Sequence, residues 1–547
     1  MSRRTSETYA VPLKPSNLEK SCGQIFSKGP ALTRDIFEKM QKDRRQIMGY
    51  EIETKQLWLL SGLLLLFILS TTGMIAMWFT EAFDNVVFSN LAIRPNQQSF
   101  NMWQKPIPKP LAKIYLFNYT NVPQYEIGNA KKLHVEELGP YVYEETLERV
   151  NIKVNGSHLS YQEHRVYKFM PELSKGRKQN DRVIIPNIPL FTAAALNKHA
   201  PFLARVGLSG LLNSLNAQPF LSLPADRIIT GYEDNLYALA KSYMKLQNKH
   251  MKERFGLLGN AIGTRDDVVT INNGETDINQ VGRFELVNGE SNLNQWSTAE
   301  CNDFSSSTDG SIFSPKLVRN RRPLQVYLKD MCRPLTYDFQ KKVTILDGKI
   351  PAYRYALSNK AFDSPDRTPS NQCYCDLDNA CPPQGVFNAT SCFFGAPLFI
   401  SYPHFYNADP SLKQAVTGLK SSPEYESYID LHPTLGYTMS GKNRIQVNVQ
   451  VNKAFGISQV QMFDDGTILP IAWFDYSLED KTLPEDMVGI IFHSTFTLRS
   501  VEMGLKYGCL LTMGVTLFCI LLVLKNRWTR RVRTSSIRPL RTEEERV

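Results

Sequence analysis

The residues of this 547-residue chain whose types and spacing bear on chemistry are nine cysteines, eight histidines and three Asn-x-Ser/Thr triplets. Six cysteines, Cys301, Cys332, Cys373, Cys375, Cys381 and Cys392, share one stretch. An even, clustered set suits disulfides made in an oxidising compartment, and six cysteines leave about fifteen pairings open. The triplets at Asn118, Asn155 and Asn388 would accept N-linked glycan in the same compartment. The histidines are scattered, with none paired at i, i+4, which speaks against a zinc site. GLSGL (207–211) lacks the last glycine of a nucleophile elbow, and the glycines of FGLLGNAIG (255–263) are wrongly spaced for a dinucleotide. With no metalloprotease or phosphate-loop motif either, these residues point away from an enzyme and call for no metal or cofactor.

Two apolar runs set where those residues sit. LWLLSGLLLLFILSTTGMIAMWF (57–79) carries no charge and is long enough to cross a bilayer. A cleaved signal peptide fits poorly, because 56 residues precede the run. The second run, 507–524, is closed by the basic cluster KNRWTRRVR. Of the net charge of +10, the tails 1–56 and 525–547 carry +4 and +5, leaving +1 in the middle. That distribution removes nucleic acid as a partner. Lys42, Arg44, Arg45 and Lys55 flank the first run before it, whereas Glu81 and Asp84 follow it. The positive-inside rule then puts both tails in the cytoplasm and residues 80–506 outside it. All three triplets and all six clustered cysteines lie in that segment.

Within 80–506 the recurrent signal is the tight turn: Asn155-Gly156, Asn273-Gly274, Asn288-Gly289, Asp309-Gly310, Asp347-Gly348 and Asp465-Gly466. These pairs tolerate the positive φ of two-residue hairpins, and the flanking Val, Ile, Tyr and Phe predict a large antiparallel sheet or barrel. Two stretches break the pattern. Leu208, Leu211, Leu212 and Leu215 share one helical face within 190–217, and Ile229, Tyr232, Leu236, Leu239 and Tyr243 do so within 226–252. With Pro219 and Pro224 between them, they predict a helical hairpin inserted in the sheet.

Several runs are idiosyncratic: IYLFNYTN (114–121), ELGPYVYEE (137–145), ITGYEDNL (229–236), STDGSIFSP (307–315), MCRPL (331–335) and GAPLFISYPHFYNADP (395–410). Together with the two apolar runs they resemble the class B scavenger receptors over roughly 57–525. The resemblance implies an α+β membrane protein: two transmembrane helices flanking a disulfide-bonded, glycosylated ectodomain with an antiparallel β-barrel-like core, an apical helical bundle and an apolar tunnel. It also implies the pairings Cys301–Cys373, Cys332–Cys392 and Cys375–Cys381. The expected partners are lipids and lipid-carrying particles, with hydrophobic ligand passing through the tunnel to the membrane, and His404 within SYPHFY is read as structural. The expected residence is the plasma membrane, with the endosome or lysosome as the alternative, and an oligomer stays open.

Two other classes compete. A two-helix ligand-gated ion channel shares the topology, and Cys509, Thr512, Thr516 and Cys519 fall on one helical face as a pore lining would; small polar residues equally let helices pack. An endolysosomal lipid exporter or protein-trafficking receptor is the other. In the tails, Cys22, Cys509 and Cys519 are palmitoylation candidates, Cys519 foremost. Glu545-Arg546-Val547 offers a PDZ-type terminus. At the apex, residues 206–226 contain no Lys, Arg or His, and cations occur only upstream at Lys198, His199 and Arg205. The expected ligand is therefore neutral, such as a carotenoid, sterol or ester, with Phe202, Leu208, Leu211 and Leu215 as candidate contacts.

Overall fold

The computed structural model describes residues 45–47, 50–52, 54–246, 251–375, 381–480 and 483–535. Cys22 and the terminal Glu545-Arg546-Val547 lie outside them. The chain divides into two compact units, one holding the apolar helices and the other spanning Asp84–Leu498.

In the first unit the apolar runs form helices Thr54–Phe79 and Leu498–Ser535, each longer than its apolar run. Gly73 is the point of closest approach: a Cβ there would lie 2.9 Å from Cys509 Sγ. Trp78 Nε1 donates to the Lys506 carbonyl at 3.4 Å, and Arg527 reaches Gln56 at 3.5 Å. The helices are therefore antiparallel, with 56 and 527 at one end and 78 and 506 at the other. Thr516 and Ser70 are buried. Of the small polar face of the second helix, Thr516 is thus packed away and Cys509 abuts Gly73, while Thr512 is exposed.

In the second unit, alternation sets the strands. Leu111–Tyr119 turns Ala112, Ile114, Leu116 and Tyr119 inward, all buried. Ile114 and Leu116 each contribute about 1.5–3 kcal/mol on leaving water. The hydrogen-bonded path runs Phe284–Val287, Val269–Asn272, His158–Phe169, Leu133–Asn155, Leu111–Tyr119, Ile468–Leu478, Thr438–Gln450, Tyr428–Leu431, Ile350–Leu357, Arg333–Ile345, Leu324–Leu328. Four short strands attach beside it, for a sheet of 15. Pairing is antiparallel throughout except where Val416–Thr417 lies parallel to Leu133–His134. Among the described residues the two end strands do not pair directly, but Ser307 and Thr308 link them: Phe284 N donates to the Ser307 carbonyl at 3.0 Å, and Thr308 N to the Gln325 carbonyl at 3.0 Å.

The helical insertion differs from the expected hairpin. Its first half becomes α1 (Ile188–Leu196) and α2 (Phe202–Ser214). Asn187 caps α1, its side chain accepting from Leu190 N at 3.2 Å. Between the halves, Phe220–Pro224 is a strand paired with Arg182–Pro186. The second half splits into α3 (Ala225–Thr230) and α4 (Asn235–Leu246). Gly231, at φ 138°, breaks the helix against Arg254, and Tyr232 instead bridges Phe255. The predicted apolar face of α2 is also rotated. Leu212 is wholly buried, Leu208 half-buried and Leu211 41% exposed. The cause is Ser209, which hydrogen-bonds Ser458 and turns the Ser209/Leu212 line inward.

Candidate ligand-binding cavity

Beneath these helices lies a cavity of about 890 Å³. α1 contributes Pro189, Ala193 and Leu196, and α4 contributes Leu236, Leu239, Ala240, Tyr243 and Met244. Leu211 closes it from α2, and Phe393 and Phe394 from the loop before Leu398–Ser401. This wall suits a hydrocarbon chain or ring system.

The opposite wall is charged. Arg265, Asp266, Asp267, Lys329 and Asp330 line it, with Lys252 and Arg254 nearer α4. Each cation has a carboxylate. Arg265 binds Asp267 at 3.0 Å and Asp330 at 3.2 Å, and Lys329 binds Glu163 at 2.9 Å and Asp267 at 3.3 Å. Lys252 meets Asp266 at 3.7 Å, and Arg254 meets Glu233 at 3.5 Å. Behind the wall Arg165 joins Glu163 to Glu145 at 2.9 and 3.0 Å. Burial opposes ionisation of Glu163 and Asp267, but their basic neighbours outweigh it and hold both carboxyls below the usual range. The wall is thus internally paired, with no cation left without a carboxylate partner for an anionic ligand.

Of the residues expected at the apex, only Leu211 lines this cavity. Lys198 pairs with Asp465 at 3.1 Å, and Arg205 donates to the Lys198 carbonyl at 3.3 Å. His199 is exposed and Leu215 half-buried. Phe202, 48% exposed, stacks on Phe455 with ring centroids 5.6 Å apart. The charged wall escaped sequence reasoning because strands far apart in the chain assemble it. Its only trace was the dense RDD (265–267) and KD (329–330) in otherwise apolar surroundings.

The structure has disulfides Cys301–Cys373 and Cys375–Cys381. Cys332 and Cys392 are free thiols here. They are neighbours, however: a hydrogen bond that the Cys392 thiol donates to Cys332, together with burial, pushes Cys392 up. Cys392 also touches the cavity. Among the glycan acceptors, Asn155 is exposed at a hairpin tip, Asn388 is 9% exposed, and Asn118 is half-buried, with its side-chain oxygen accepting from Ile184 N at 2.9 Å.

His404 offers no nucleophile pair. Its Nε2 lies 2.6 Å from Glu137, which also accepts from Trp473 Nε1 at 2.7 Å, while Nδ1 accepts from Lys420 N at 3.0 Å. Both ring nitrogens are thus engaged in holding the SYPHFY loop to the sheet. No metal-binding cluster occurs among the described residues.

Residues 60–525 match the model of the CD36 family. Scavenger receptor class B member 1 of Sus scrofa is 31% identical over 446 residues, which cover 81% of this chain and 84% of that protein. Its Bos taurus counterpart is 30% identical over 432 residues, 78% and 82% of the two chains. Lysosome membrane protein 2 of Mus musculus is 28% identical over 459 residues, 82% and 92%.

Proposed function

The chain belongs to the CD36 family, and from that premise we propose that it is a scavenger receptor that binds lipids or lipoprotein-like carriers and delivers neutral hydrophobic ligand to the membrane. The observation that carries the neutral-ligand reading is the cavity wall on which every cation is already paired with a carboxylate. Water opposes transfer of a sixteen-carbon chain by roughly 13 kcal/mol, at about 0.8 kcal/mol per CH₂. An apolar enclosure lowers that barrier without a chemical step. A fatty acid would add the cost of setting its carboxylate against Asp266, Asp267 and Asp330, with no unpaired cation in return.

Docking of the donor particle falls to the exposed apolar surface of α2, where Phe202, Leu203 and Val206 flank Phe455. In this reading the tails are cytoplasmic, the receptor resides in the plasma membrane, and ligand passes through the ectodomain to the bilayer. The test is competitive uptake by cells expressing the full chain, with a labelled carotenoid against a labelled long-chain fatty acid. The carotenoid should win, and Leu211→Asp should abolish its advantage. A strong fatty-acid preference in the wild-type protein would overturn the neutral-ligand reading.

A further inference from the structure

A second pocket, of about 410 Å³, shares no lining residue with the lipid cavity. At its wall stands Arg333, the arginine of MCRPL, only 7% exposed. Its Nη1 donates to the Ala361 carbonyl at 2.8 Å and its Nη2 to Asn371 Oδ1 at 3.0 Å; Nε finds no acceptor among the described residues. The guanidinium lies 4.0 Å from the centre of the Tyr374 ring. Among the described residues four other interior arginines have carboxylates: Arg149 has Asp309, Arg165 has Glu145 and Glu163, Arg265 has Asp267, and Arg444 has Asp475; Arg205, also without one, is less buried than Arg333. Arg333 has no carboxylate at ion-pair distance among the described residues. A buried cation left without a countercharge is costly, and an incoming oxyanion would relieve that cost.

The pocket's rim selects which oxyanion. Glu300, Asp303 and Asp338 are exposed there, against the single cation Lys360. Three carboxylates repel a bare, multiply charged anion but attract an ammonium. We propose that this pocket binds a small zwitterion, a phosphate or carboxylate joined to an ammonium, with the anionic end on Arg333 and the cationic end among the rim carboxylates. The chemistry is shared by free solutes such as phosphoethanolamine and by the headgroup of a zwitterionic phospholipid.

The test uses the full chain in maltoside micelles, with isothermal titration of phosphoethanolamine, inorganic phosphate and ethanolamine. Phosphoethanolamine should bind at least tenfold more tightly than either fragment. The double variant Asp303→Asn/Asp338→Asn, at exposed positions that leave the fold intact, should weaken phosphoethanolamine about tenfold and leave inorganic phosphate unweakened. Arg333→Gln should lose both; if it does not fold, the rim variant decides alone. Inorganic phosphate binding as tightly as phosphoethanolamine, indifference to the rim variant, or no saturable binding would each overturn the proposal. Competition by phosphatidylethanolamine vesicles would identify a headgroup and its absence a free solute, either of which upholds the site.

Discussion

Asp267→Asn should let fatty acids into the cavity proposed above to take neutral lipid. Asp267 touches two of the four cations that line the cavity, Arg265 at 3.0 Å and Lys329 at 3.3 Å, and its side chain is only 20% exposed. The amide keeps the shape and removes one negative charge. Neither cation is stranded, because Arg265 retains Asp330 and Lys329 retains Glu163. The loss of folding stability is then about 1.5–3 kcal/mol, the range of a hydrogen bond to a charged group. It stays below the roughly 3–5 kcal/mol of a buried ion left alone. An entering fatty-acid carboxylate would restore one charge-assisted contact of about 1.5–3 kcal/mol, on the order of ten- to a hundredfold in relative affinity. The assay is the uptake competition described above, with surface biotinylation to correct for expression. A variant that reaches the surface and keeps the wild-type ratio of carotenoid to fatty acid would refute the link between wall charge and ligand class.

Three further outcomes are expected. In protein taken from the cell surface, alkylation before reduction should label neither Cys332 nor Cys392, because the two thiols lie side by side and the proposed topology puts them in a compartment that oxidises such pairs; labelling of both would show the bridge does not form. Asn155→Gln should remove one glycan's mass, measured against peptide-N-glycosidase treatment, since Asn155 is exposed at its turn. An unchanged mass would exclude that site. Burial lowers His432 to about 4, so the folded state keeps it neutral while the unfolded chain takes up a proton below about 6.5. Its stability contribution is complete above that pH and declines as pH falls towards 4, by about 2 kcal/mol at pH 5. His432→Gln should therefore narrow the gap between the melting temperatures at pH 7.4 and pH 5, and an unaltered gap would contradict this.

The parts of the fold legible in the sequence were those governed by local chemistry. The spans follow from apolar length. Asn155-Gly156 and Asp347-Gly348 do join long strands as tight hairpins, Leu133–Asn155 to His158–Phe169 and Arg333–Ile345 to Ile350–Leu357. Asp309-Gly310 and Asp465-Gly466 also have positive φ at their glycines but close no two-residue hairpin: Asp465-Gly466 sits in the longer 451–467 connection between the paired strands Thr438–Gln450 and Ile468–Leu478, and the two aspartates hold Arg149 and Lys198. An Asx-Gly pair specifies a backbone angle, and only the neighbours decide whether it closes a hairpin. The helical face of α2 was misjudged for a similar reason: periodicity identified a leucine stripe, but a serine contact set the rotation. The charged cavity wall was illegible because Glu163, Arg265 and Lys329 are local polar residues until the sheet brings them together.

The position of Leu111–Tyr119 in the sheet has a consequence for biosynthesis. This strand emerges early, yet one of its two partners is Ile468–Leu478, where Leu116 pairs with Ala472. At about 5–20 residues per second, synthesis separates those partners by roughly twenty seconds to over a minute. Throughout that interval one edge of the early strand lacks its ladder, and an unpaired edge is a site for mispairing and aggregation. The sheet therefore closes only after nearly the whole ectodomain has been made, a long-range step of the kind that folds slowly. Truncation anywhere before Ile468 should yield not a smaller receptor but a retained chain, so premature stops late in the coding sequence should be as damaging as early ones.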